Sequence, residues 1–208
     1  AKKAYHDMLW RYFDGDQPLV YSSEKLREIF SGLNARFTEN WCGVVVNSVL
    51  DRMVLRSLSV AEDDATSNAL QAVREESGLV DDEYQIHEDL CVTGEAFVIV
   101  WPNEETGEVE AFQNDSRLCH AEYDSANPRM MRFAAKWWPI ETGGVRLTLY
   151  YPDRFEYYVT GRSYKTGETP DAKAFEPYGE EPVALNQYGV IPVFHFRSNR
   201  RRPKSQLA

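Results

Sequence analysis

Cysteine is scarce in this chain: three residues, Cys42, Cys91 and Cys119, far apart and odd in number. Two of them lie inside apolar segments, where a free thiol packs as a small hydrophobe, so a disulfide framework is not expected. No apolar run reaches the roughly eighteen residues of a membrane span, and residues 1–7 lack the apolar core of a secretory signal. These absences point to a cytoplasm-like compartment. The glycines form no phosphate loop and no dinucleotide fingerprint, and there is no Gly-x-Ser-x-Gly elbow, Cys-x-x-Cys or His-Glu-x-x-His. Positive charge is short too. The formal charge is -10, and Arg197, Arg200, Arg201, Arg202 and Lys204 cluster at the end, which leaves 18 basic against 33 acidic residues before them. A body near -15 repels nucleic acid at long range, so any nucleic-acid contact is expected at those five residues, with a solvated charge run as the plain alternative.

What is present suffices for a folded protein. The 208 residues are 43% hydrophobic and 27% charged, enough for one sizeable core or two small ones. The stretch 34–60 is the most apolar. Trp41, Val45, Val46, Val49, Leu50 and Met53 share one helical stripe, with Thr38 or Asn40 placed to cap it, and residues 54–60 read as a short half-buried strand. On that reading Trp41 is interior, and Trp41→Ala costs roughly 3–5 kcal/mol.

Further helices are expected over residues 5–13, from Ser22 or Ser23 to Gly32 with Leu26, Ile29 and Phe30 buried, over 65–76 before Gly78, and from Asp81 to Gly94. After Gly94 the period changes from helical to two. Strands are expected over 96–101, 109–112, 118–123, 129–138, 145–151 and 155–160, separated by turn residues, with 161–182 as a long mobile loop and 190–196 as an edge strand. Helices first and short-linked strands afterwards argue an α+β fold, N-terminal helices packed on an antiparallel meander sheet.

Three sets of residues could carry chemistry or contacts. His87 and Cys91, at i and i+4, could offer two metal ligands to Cys119 and His120, but packed core residues are the plainer reading, and no metal or other cofactor is expected. The acid pairs Asp63-Asp64, Asp81-Asp82 and Glu104-Glu105 fit caps and turns, against an alternative of a small hydrolase that uses carboxylates with His87 or His120. Alternation sends Trp137 and Trp138 to opposite faces, and likewise splits Tyr150-Tyr151 and Tyr157-Tyr158, so aromatic groups line both sides of the sheet. Trp138, Tyr150 and Tyr158 are the candidates for a subunit interface, since aromatic enrichment marks interfaces.

The order of several motifs resembles one family. Residues 12–18, then Asn34, Asn40, residues 44–46, Asn47, Val49, Leu50, Asp51 and Arg52 resemble the N-terminal part of tailed-phage portal proteins of the siphophage type. Ala69-Leu70 and the glycine-to-strand step over 93–100 are similar to that family, and residues 189–196 with Asn199 and Arg200 resemble the segment leading to its stem helix. The resemblance implies a wing-like domain over 1–196, helical to 94 and mainly β afterwards, and a basic tail over 197–208 leading toward a stem, with channel helices and the clip lying beyond. It further implies a structural subunit, not an enzyme, of a ring, dodecameric as a rule, at a capsid vertex of the virion, built in the host cytoplasm. Its partners would be copies of itself, the terminase, scaffold and capsid proteins, head-completion adaptors and the double-stranded DNA passing through, with no membrane. A stand-alone interaction module is the third reading.

Overall fold

Asn40 begins the helical part of the fold in two ways. Its side-chain oxygen accepts from Gly43 N at 2.8 Å, capping helix α2 (Trp41–Leu50), and its amide nitrogen donates to Phe13 O at 2.7 Å, fastening that cap to the end of helix α1 (Lys2–Phe13). The computed structural model describes residues 2–16, 28, 40–103, 105–164, 168, 170–199 and 203–207. The helix expected from Ser22 or Ser23 to Gly32, and the positions Asn34 and Thr38, lie outside the described residues. Helix α3 (Asp64–Glu76) is capped by Asp63, which accepts from Thr66 N at 2.9 Å. Helix α4 (Leu79–Thr93) stops at Gly94, whose φ of 87° suits the left-handed C-terminal position.

The stripe expected on α2 holds for Val46, Leu50 and Met53 and fails for Trp41, Val45 and Val49. Gly43, Val46 and Leu50 turn inward against Leu9, Cys91 and Val92, while Trp41 is 67% exposed and Val45 and Val49 face outward as well. A helix apolar almost all round offers several stripes, and here the seam toward α1 and α4 takes only the narrow step of three and four residues. Trp41→Ala is therefore expected to change the stability of the single chain by less than about 1 kcal/mol, as urea denaturation would show. Residues 54–60 do not form the expected strand. Leu55 N donates to Glu83 Oε1, and Arg74 Nη2 donates to Leu55 O at 2.9 Å and to Glu83 Oε2 at 3.0 Å, so side chains hold this segment, with an isolated bridge between Val60 and Asp63.

Nine strands follow among the described residues: β1 (Glu95–Pro102), β2 (Val109–Asn114), β3 (Cys119–Tyr123), β4 (Met131–Pro139), β5 (Val145–Tyr150), β6 (Arg154–Thr160), β7 (Phe175–Pro177), β8 (Val183–Leu185) and β9 (Val193–Arg197). All their pairings are antiparallel. They form two sheets, not the single meander expected. One has the order β2-β1-β9, and the other runs β3-β4-β5-β6-β7, with β8 also on β6. The reason is β1, whose residues from Glu95 to Ile99 are all buried. Phe97 and Ile99 face the six-stranded sheet, packing with Cys119, Ala121, Ala134, Tyr150 and Phe155, while Ala96 and Val98 lie under α4 on the other side. A strand covered on both faces and paired on both edges needs a partner from far along the chain, which β9 supplies. The result is three layers: helices, small sheet, large sheet.

The α+β class stands, and β9 takes the edge position read from the sequence. The stretch expected as a mobile loop is partly structured. A 3-10 turn at Ala172–Ala174 leads into β7, which pairs with one half of β6 while β8 pairs with the other half.

Candidate functional site

The most concentrated chemistry lies where α1, β1, β3 and β9 meet. Glu95 follows Gly94 at the start of the central strand, so its carboxylate points toward the large sheet with Phe97. His195 Nε2 donates to Glu95 Oε2 at 2.9 Å, and Tyr123 OH donates to His195 Nδ1 at 3.1 Å, which together require the proton on Nε2. The His195 ring stacks on Phe97 with centroids 4.3 Å apart. Glu95 Oε1 lies 2.6 Å from Lys2 Nζ and 3.2 Å from His6 Nε2, ion-pair contacts without the alignment of hydrogen bonds. Burial would raise the Glu95 pKa. The hydrogen bond from His195, then His6 and the Lys2 charge, outweigh that and hold the carboxyl well below its usual range. Burial lowers the His195 pKa, against the pull of Glu95.

A second buried acid sits one turn earlier. Asp89, 3% exposed, accepts from Gln113 Nε2 at 2.7 Å and from Ser116 Oγ at 3.2 Å. Burial, and then the Asp115 charge, push its pKa up to about 7, against the hydrogen bonds from Gln113 and Ser116. The folded chain thus keeps a proton that the unfolded chain releases near its ordinary value of 3.8. Its contribution to stability is full below that value and is lost as pH rises through about 7. Thermal unfolding is expected to show a contribution that lowers the midpoint as pH rises from about 4 to about 7 and levels off above that, and Asp89→Asn is expected to flatten that slope. An equal slope in the variant would remove Asp89 as its source.

The large sheet offers two surfaces. On its outer face Ala135, Trp137, Leu147, Leu149 and Tyr158, with Pro170, Ala172 and Phe175, line an apolar pocket of about 490 Å³, with Lys2 and His120 at its border. At one end of the inner face Trp138 stands opposite Arg146 in the β4–β5 register. Lys136 Nζ lies 5.4 Å from the Trp138 ring centre, and the Arg146 guanidinium lies 3.9 Å from that of Tyr178.

The structure separates the residues chosen as interface candidates. Tyr150 is 7% exposed inside the core, beside Ala134 and Phe155, and presents nothing to a neighbour. Trp138 and Tyr158 are half-buried on opposite faces of the large sheet. The basic tail is likewise not a free run. Arg197 lies 4.0 Å over the Tyr123 ring, Lys204 N donates to Ser198 Oγ at 2.9 Å, and Gln206 N donates to Cys91 O at 2.9 Å. Leu207 packs on the helical cluster, and Arg200, Arg201 and Arg202 lie outside the described residues.

Cys91, against Met53 Sδ at 3.8 Å, and Cys119 occupy different core clusters, so the two pairs of candidate ligands do not converge. Among the described residues no three His, Cys, Asp or Glu side chains are grouped to hold a metal ion. Asp63 caps α3, Asp82 Oδ2 accepts from Gln113 N at 3.2 Å, Glu105 is exposed, and Glu104 lies outside the described residues. His120 pairs with Glu122 at 3.2 Å at the surface. Sequence reasoning missed Glu95 and Asp89. A carboxylate between a helix-ending glycine and an apolar strand was the available signal for Glu95, since such a group must be compensated when buried.

No helix of the described residues is long and apolar enough to cross a membrane. No curated protein matches the chain. Residues 2–204 match the family described as phage portal protein, SPP1 Gp6-like, and that match runs through the helical layer, both sheets and the returning tail. With nearly its whole length matched, the chain belongs to the phage portal proteins of the SPP1 Gp6-like family.

Proposed function

We propose that this chain is the wing part of a portal subunit that closes with copies of itself into a ring, dodecameric as a rule, at one vertex of the virion capsid, assembled in the host cytoplasm. Double-stranded DNA is driven through the ring by the ATPase of a terminase and later leaves by it. Scaffold and capsid proteins and head-completion adaptors are the other partners. The observation that carries this reading is the family match over residues 2–204, a family of structural proteins. The apolar pocket on the outer face of the large sheet suits a chain made to be packed against others. Native mass measurement on the full-length protein tests the reading. A single closed-ring mass is expected, and a monomer at every concentration would overturn it.

We infer that the chain breaks no bonds itself. Its nearest approach to an acid–base relay, Glu95 with His195 and Tyr123, is sealed in the interior: the Glu95 and His195 side chains are 3% and 4% exposed. A conduit for a polyanion gains from weak attraction, because tight phosphate contacts slow sliding. Residues 57–116 hold sixteen carboxylates and a single cation, Arg74, which is tied to Glu83. The variant with Arg200, Arg201 and Arg202 changed to Ser is expected to show no duplex binding even at about 0.05 M salt in a gel-shift assay. Tight binding by that variant would refute the conduit reading.

A further inference from the structure

We propose that neighbouring copies in the ring meet head to tail, with the Lys136–Trp138–Arg146–Tyr178 corner of one copy receiving the acidic face of α3, α4 and the β1–β2 hairpin of the next. The proposal rests on the ring reading and names the contact that would build it. The corner is a pair of cations held by rings instead of by acids. Arg146 lies between Tyr178, at 3.9 Å, and Trp138, at 6.0 Å; Lys136 lies 5.4 Å from Trp138 and 5.3 Å from Phe112. Among the described residues neither cation has a carboxylate partner, whereas Arg117 is paired with Asp115, and Arg154 with Asp153 and Glu156. In a chain with 33 acidic residues against 23 basic ones, two adjacent cations without an acid are unexpected. Beside them the turn after β4 completes a cleft of about 450 Å³ lined by Trp138, Arg146 and Tyr178, with Glu141 as its one acid.

The complement is on the same chain. Glu75, Glu76 and Asp81, at the α3–α4 connection, and Glu105 and Glu108, at the hairpin, are all exposed. They belong to one surface: Ala111 N donates to Ser77 Oγ at 3.0 Å, which holds the end of α3 against β2. Within residues 57–116 the one cation, Arg74, is 8% exposed and bonded to Glu83, so the acids of this stretch far outnumber its cations. Two such faces repel, which disfavours a two-fold contact between them. A head-to-tail contact joins opposite signs, and repeated contacts of that kind close a ring. The occupant is a second copy because every copy carries the exposed acids that match the corner.

The test uses the full-length protein and mass photometry at about 0.1 M salt, with circular dichroism as the control for folding. Arg146→Glu, at a half-buried position, is expected to weaken ring formation by about tenfold or more, and the double variant Glu75→Lys, Glu76→Lys to do the same from the other side. Mixing the two variants is expected to restore assembly. A wild-type protein that never assembles overturns the ring and this contact together. Rings that form normally in both variants overturn the contact and leave the ring. Loss of duplex DNA binding in Arg146→Glu with rings intact would make the corner a nucleic-acid site and overturn the proposal.

Discussion

Glu95→Ala is expected to lower the unfolding free energy by about 2–4 kcal/mol at neutral pH, measured by urea denaturation, because it leaves the buried polar groups of His6 and His195 without their acceptor. The carboxylate sits within 2.6 Å of Lys2 Nζ and accepts from His195 at 2.9 Å, with its own side chain 3% exposed. Without it, Lys2 loses its partner, His6 and His195 keep no acceptor there, and α1 loses its fastening to β1 and β9. A loss below about 1 kcal/mol would show that the cluster is wet and of little weight. The cluster also sets the acid behaviour. His195 in the fold has a pKa below its ordinary 6.5, so it resists a proton that the unfolded chain accepts, and stability falls as pH drops below that value. Glu95, also depressed, contributes stability that is present above its ordinary 4.5 and lost as pH falls further. Both effects act toward acid. Asp89 acts in the opposite sense, so the two buried acids bracket a stability maximum on the acid side of neutrality.

Gly94→Ala is expected to cost about 2–4 kcal/mol and to loosen the end of the described chain. Two independent features set that value. The φ of 87° is left-handed, where a side chain costs about 1–2 kcal/mol. A Cβ there would also stand 2.6 Å from Lys204 C and 2.7 Å from Lys204 N, backbone atoms with no soft end to yield. Ser198 N donates to Gly94 O at 3.0 Å, so the strand's exit and the returning tail both press on this one residue. Limited trypsin digestion should cut after Lys204 sooner in the variant, and an unchanged cleavage rate would mean that the tail does not depend on Gly94.

Local signals explain why much of the fold was legible. Asn40 and Asp63 as caps, Gly78 and Gly94 as helix ends, and the change from helical to alternating pattern after Gly94 all act within a few residues, and the structure keeps them. The errors lie where distant parts choose between locally equal options. Trp41 and Val46 are equally apolar, and only the packing of α1 and α4 makes one outward and the other 0% exposed. Tyr150 and Tyr151 alternate as expected, but the second sheet turns Tyr150 into the core and disqualifies it as an interface residue. The family resemblance was visible because motif order along the chain does not depend on packing.

Residue order alone carried the α+β class, the caps and ends of the described helices at Asn40, Asp63 and Gly94, the acidic excess and the resemblance to the portal family, since each is written in neighbouring side chains, in motif order or in charge totals. Contacts between distant segments decided the rest: β9 beside β1 and two sheets in place of one, and the enclosure of Glu95 by Lys2, His6 and His195. The physical cause is the same for each. Burial and ion pairing depend on which surfaces meet across nearly a hundred residues of chain, and that choice is made by the free energy of the whole packed body.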